Sequence, residues 1–175
     1  MYAGIIAFIF SESFLFSALF FAYYYMKFDS PVWPPQGVTV DLTFAIPLTV
    51  ILLTSSLVVW AAGKFLEHGN VVALTMLLAL TILLGAGFMG ITVFEWLNAG
   101  FTPASHAYGS IFFTLTGFHF MHVFGGTLLL TILTVRSLRG HYSSKSMTGI
   151  KIGSYYWHFV DVIWILVFIT VFIIK

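Results

Sequence analysis

Residues 96–135 read WLNAGFTPASHAYGSIFFTLTGFHFMHVFGGTLLLTILTV, forty positions without an Asp, Glu, Lys or Arg. A helix crosses the hydrocarbon of a bilayer in roughly 20 residues, so this run holds more than one element. Its first part carries Asn98, Gly100 and Pro103, which is turn chemistry, and a helix is expected from about residue 107 to 135. Working outward, residues 42–63 and 69–94 are also free of charge, residues 1–26 contain only Glu12, and residues 155–174 contain only Asp161. The sequence therefore predicts an all-α membrane protein. It is a single transmembrane domain spanning 1–175, with five helices over about 2–26, 43–63, 71–97, 107–135 and 153–174. Alternation of apolar and polar residues is missing, which disfavours a β-barrel.

Composition agrees. The 175 residues are 60% hydrophobic and 7% charged, against about 25% charged in soluble domains. Net charge is +1 and the charges are scattered, which excludes a nucleic-acid partner. Without cysteine there can be no disulfide, thiolate metal site, iron–sulfur cluster or c-type haem attachment. The first apolar run lacks a basic leader and an A-x-A site and is too long for a signal-peptide core, so it is expected to span. Basic residues set the orientation. Lys64, Arg136, Arg139, Lys145 and Lys151 fall on the side of the N-terminus, and Lys27 and Lys175 on the other. The positive-inside rule then puts the N-terminus inside and the C-terminus outside. The basic loop 136–152 is expected to collect anionic lipid and to bind no nucleotide.

Ionisable side chains inside hydrocarbon cost about 2.5–3.5 kcal/mol at mid-helix, so the few present are the candidates for function. They are Glu12, His119, His122, His158 and Asp161; Glu67 and Glu95 sit at helix ends and read as interfacial. His119 and His122 are three apart, nearly on one side of their helix, and H-x-x-H can hold a metal or haem. A site needs further ligands, and a His pair satisfied by polar partners on other helices is the better reading. GAGFMG at 85–90 matches a dinucleotide fingerprint but follows no strand. Its small residues, Ala86 and Gly90 above all, read instead as a place for close helix approach. Depth along the helices, at 1.5 Å per residue, puts Glu12, His122 and Asp161 about 3, 1.5 and 4 Å to the inner side of the midplane, and His119 about 3 Å to the outer side. A buried polar cluster of Glu12, His119, His122 and Asp161 follows, with Glu12 bonded to His122 in preference to His119. Asp161 is its least certain member, because Trp157 and Trp164 flank it and could shield it. Trp157, Trp164 and His158 form a possible surround.

Four stretches carry a resemblance: SESFLFSALFFAYYY at 11–25, WPPQG at 33–37, SIFFTLTGFHFMHVFGG at 110–126 and YYWHFVDVIWI at 155–165. In this order and spacing they resemble subunit III of the haem–copper oxidases, across nearly the whole chain, in the short five-helix form typical of bacteria. The resemblance implies a multi-pass subunit of a respiratory oxidase in a bacterial inner membrane, in a complex that reduces oxygen and pumps protons, with cytochrome c as the expected donor. It implies no redox centre in this chain, haem and copper in partner subunits I and II, direct packing on subunit I, bound phospholipid, and support of proton uptake. The family's membrane carboxylate corresponds to Glu12, its two histidines to His119 and His122, and its helix-end acid to Asp161. Phe120 stands where the family usually has Gly, and Lys151 where many members have an acid. Related branches accompany quinol oxidases and nitric oxide reductases, and these motifs do not separate donors. A different class, an autonomous proton or ion transporter using Glu12 and the histidines as a relay, remains the alternative; the lack of an internal repeat speaks against it.

Overall fold

A computed structural model describes residues 2–38 and 42–174; Lys175, counted in the charge balance above, lies outside the described residues. Five helices long and apolar enough to cross a membrane are present among them, so the chain is a multi-pass membrane protein. They are α1 (Tyr2–Asp29), α2 (Leu42–Glu67), α3 (Val71–Asn98), α4 (Ala107–Leu138) and α5 (Thr148–Phe168), which runs on as a π-helical turn, Ile169–Ile173. The helices outlast the charge-free runs. Lys27 and Asp29 lie inside α1, Lys64 and Glu67 inside α2, Arg136 inside α4, and α5 starts at Thr148 rather than near 153. A helix keeps its backbone bonds on leaving hydrocarbon, and charged side chains there reach the headgroups; charge marks the edge of the apolar slab and not the end of the helix.

The turns explain the order. Asn70 caps α3 by accepting a hydrogen bond from the Ala73 amide at 2.9 Å, and Gly69, at φ +77°, makes the tight reversal from α2. His106 caps α4, its Nδ1 accepting from the Gly109 amide at 2.8 Å.

Helices α2 to α5 form the packed body, with neighbours α2–α3, α3–α4, α4–α5 and α2–α5, while α1 packs on α4 and α5 from outside. Only Phe16 and Tyr23 of α1 are buried. In lipid, helices are drawn together by close packing and interhelical hydrogen bonds and not by a hydrophobic force. Trp157 supplies both. Its ring is fully buried, and its indole N–H donates to Ser55 Oγ on α2 at 2.9 Å. A methyl group on Gly85 of α3, or on Gly126 of α4, would lie 2.9 Å from the Trp157 ring. One side chain of α5 thus occupies space left by missing side chains on two helices and bonds to a third. Two more contacts hold α5 to α2: Trp164 N–H donates to Thr49 Oγ1 at 3.0 Å, and Ser56 Oγ meets His158 Nδ1 at 2.6 Å. Thr75 and Ser137 join α3 to α4 at 2.7 Å.

The glycine expectation is corrected here. Ala86 and Gly90 are both exposed, and Gly90 has nothing within 4 Å of where a side chain would begin. Gly85 is the residue that admits a neighbour. The buried residues of α3, namely Leu74, Leu78, Thr81, Gly85, Phe88, Thr92 and Glu95, recur at alternating spacings of four and three, and that stripe includes Gly85 and excludes Gly90.

Gly85→Ala should therefore overpack the Trp157 seat and lower unfolding free energy in detergent by about 1–3 kcal/mol, whereas Gly90→Ala should change it little. Equal thermal midpoints for the two variants would contradict this account of the core.

Candidate functional site

The site lies where peripheral α1 meets α4. Glu12 comes from the middle third of α1, and His122 lies at the centre of α4. His122 Nε2 and Glu12 Oε2 are 3.0 Å apart, and the side chains are 13% and 19% exposed. The other imidazole nitrogen fixes the tautomer. Nδ1 stands 2.7 Å from the Phe118 carbonyl, and a carbonyl only accepts, so Nδ1 carries a hydrogen and donates it. What remains is one proton between Nε2 and Oε2. Either His122 is imidazolium donating to a carboxylate, or Glu12 is a carboxylic acid donating to neutral imidazole. Both arrangements have zero net charge, and they differ only in where one proton sits along the bond. A net-neutral pair is what a low-dielectric setting tolerates.

The surroundings hold the pair in place. Phe16, one turn along α1 from Glu12, sets its ring 4.9 Å from the His122 ring, and the Tyr156 hydroxyl of α5 donates to the His122 carbonyl at 3.1 Å. On its open side the pair borders an apolar groove of about 720 Å³ between α1 and α4, walled by Trp96, Phe113, Gly117 and Met121 among others. Trp96 is anchored there by its N–H donating to Thr116 Oγ1 at 3.2 Å.

The structure does not gather the other expected members into this pair. His119 is fully buried on the core-facing side of α4, its ring 5.6 Å from Phe88 and 5.1 Å from Trp164, and among the described residues neither ring nitrogen has a hydrogen-bond partner. Three residues turn a helix 300°, so His119 and His122 diverge by about 60°; on a helix wedged between α1 and the core, that angle sends one outward and the other inward. Asp161 is 4% exposed on α5, and among the described residues neither carboxyl oxygen meets a bonding partner in good geometry. Ser56 is near it, but the Ser56 hydroxyl is engaged with His158. Trp157 and Trp164 serve the α5 seat rather than the Glu12 site. Among the described residues no three His, Cys, Asp or Glu side chains converge as a metal ligand set.

One buried acid escaped the sequence reading. Glu95, interfacial by its place in the sequence, is only 6% exposed. The signal was present: Glu95 continues the buried stripe of α3 from Phe88 and Thr92.

A four-helix body with a peripheral first helix, joined through a mid-helix acid–imidazole bond, defines a polytopic membrane protein whose distinctive chemistry is one shared proton at the edge of its core. The chain belongs to the cytochrome c oxidase subunit III family, whose model matches residues 1–175. Named relatives are similar along its length. Cytochrome c oxidase subunit 3 of Thermostichus vulcanus is 37% identical over 98% of this chain and 86% of that protein. The subunit of the same name from Anopheles gambiae is 39% identical over 97% of this chain and 67% of its own, and that of Pelomedusa subrufa 37% identical over the same shares.

If the pair is an interhelical bond, a double-mutant cycle of Glu12→Ala and His122→Ala should show a coupling of about 0.5–1.7 kcal/mol in detergent unfolding. Additive single effects would mean that the two side chains do not act together.

Proposed function

We propose that this chain is the non-catalytic subunit III of a proton-pumping terminal oxidase in a bacterial inner membrane, with its N-terminus inside and its C-terminus outside. In this reading it packs directly on subunit I, in a complex that also contains subunit II. Haem and copper reside in those partners, the donor is cytochrome c, and phospholipid binds to this subunit. The observation that carries the reading is the family match over all 175 residues. The geometry supports it, since Thr49, Ser55, Ser56 and Thr75 are spent on helix–helix bonds and Glu12 and His122 share one proton.

The Glu12–His122 pair has two effects in this reading. It fixes α1 against α4, and it keeps a proton beside an apolar groove, where a change of protonation elsewhere in the complex can shift it between carboxylate and imidazole. Proton uptake and the durability of turnover would then depend on it.

The chain, tagged and extracted in mild detergent, should bring down haem visible in a reduced-minus-oxidised spectrum. Purification as a complete, haem-free assembly would overturn the oxidase reading and favour a transporter. In the intact complex, Glu12→Gln keeps a hydrogen bond to neutral His122 but removes the shared proton. It is expected to speed inactivation during turnover at unchanged haem content. Unchanged turnover and lifetime would reduce the pair to a structural bond.

A further inference from the structure

We propose a second site, away from the Glu12–His122 pair: a binding site for one monoanionic phospholipid, with its phosphate at Lys64 and Lys151 and an acyl chain in the groove between α1 and α5. It deepens the lipid-binding part of the reading above.

The head of the site is a cavity of about 280 Å³ where α2 ends and α5 begins, lined by Trp60, Lys64, Glu67, Lys151, Ser154 and Tyr155 among others. Its charges do not cancel. Lys64 is bonded to Glu67 at 3.0 Å, both side chains half-exposed. Among the described residues Lys151 makes no salt bridge, and the acid on which it acts, Glu67, is the one Lys64 already holds. One positive charge is therefore left over, matching one phosphodiester. Ser154 and Tyr155 add hydroxyls, and α5 starts at the rim with no side-chain cap, so the positive end of its dipole lies there too. Basic pockets between membrane helices at the interface suit anionic headgroups, and Trp60 and Tyr155, both exposed, are the residue types that settle at headgroup level.

The tail follows without a break. Tyr155 also lines a second hollow, an apolar groove of about 640 Å³ that runs along α5 past His158 and Phe159 to Val162, with Ile6 and Ile9 of α1 opposite. From Tyr155 to Val162 the groove descends roughly 10 Å along the helix. At its upper end the Tyr2 and Tyr155 rings stand 6.3 Å apart, joining α1 to α5 where glycerol would sit. A soluble anion would use the lysines and leave the groove empty. A neutral lipid would use the groove and leave one lysine uncompensated. An anionic phospholipid satisfies both.

The test uses the complex as purified, placed in phosphatidylcholine nanodiscs with graded phosphatidylglycerol and read by native mass spectrometry of retained lipid, with haem measured in the same sample. One phosphatidylglycerol per chain should be held in preference to phosphatidylcholine by about tenfold or more. Lys151→Glu should lower that preference about tenfold. Ile6→Trp, on the exposed face of α1, should weaken retention of both lipids by filling the groove. Glycerol 3-phosphate should not displace the lipid. Equal retention of the two lipids, a Lys151→Glu preference like the parent's, or displacement by glycerol 3-phosphate would each overturn the proposal. Missing haem would count against the oxidase reading alone, and haem present without lipid preference against this site alone.

Discussion

The packing of Trp157 is the contact on which the rest of the bundle depends. A bilayer offers helices no hydrophobic gain on meeting, because lipid tails are as apolar as leucine. What remains is van der Waals fit and polar bonds between helices, and Trp157 concentrates both. It fills the voids at Gly85 and Gly126 and donates to Ser55, so α2, α3 and α4 all close on one ring. Once that ring is seated, the rest of α5 has a fixed rotation: Trp164 must face Thr49, and His158 must face Ser56.

That rotation has a consequence for α1. With the inner face of α5 committed to α2, α3 and α4, the first helix finds no interior left and lies on the outer side of α4 and α5. Its tethers are few and spaced along its length. Glu12 bonds His122 in the middle, Tyr24 meets Thr170 at 3.3 Å, and Lys27 donates to the Ile174 carbonyl at 2.8 Å. A helix held at points rather than along a packed face leaves gaps beside it, and the two apolar grooves flank α1, one toward α4 and one toward α5. The mid-helix acid is thus explained by position: a helix with little buried area gains more from one strong polar bond than a core helix would.

How much of this could be read from the residues depended on which coordinate was asked for. Position along a helix was legible, because charge-free runs mark the hydrocarbon; the helix count and the shared level of Glu12 and His122 follow from it. Rotation about a helix was not. The depths of Glu12, His122 and Asp161 agree within a few ångströms, yet Asp161 faces a different neighbour, since depth carries no information on azimuth. His119 and His122 lie within one helical turn of each other and part by rotation. Azimuth was recoverable only where buried residues repeat, as on α3, whose four–three stripe points to Gly85 and Glu95. The helix ends were misplaced for another reason: charge reports where lipid stops, and the helices go on into the headgroups.

The place of the basic cavity follows from parity. The second helix ends, and the fifth begins, on the side where the first begins, whatever the loops between them contain. Since α2 and α5 are packing neighbours, the last turn of one and the first turns of the other must share that face, and Lys64 and Lys151 are brought together although 87 positions separate them in the chain. Topogenic charge requires lysine and arginine near helix ends on the inner side, but it does not require them to share a pocket. The seat of Trp157 does, because it brings α5 against α2 and so makes one shared cavity from two separate helix ends.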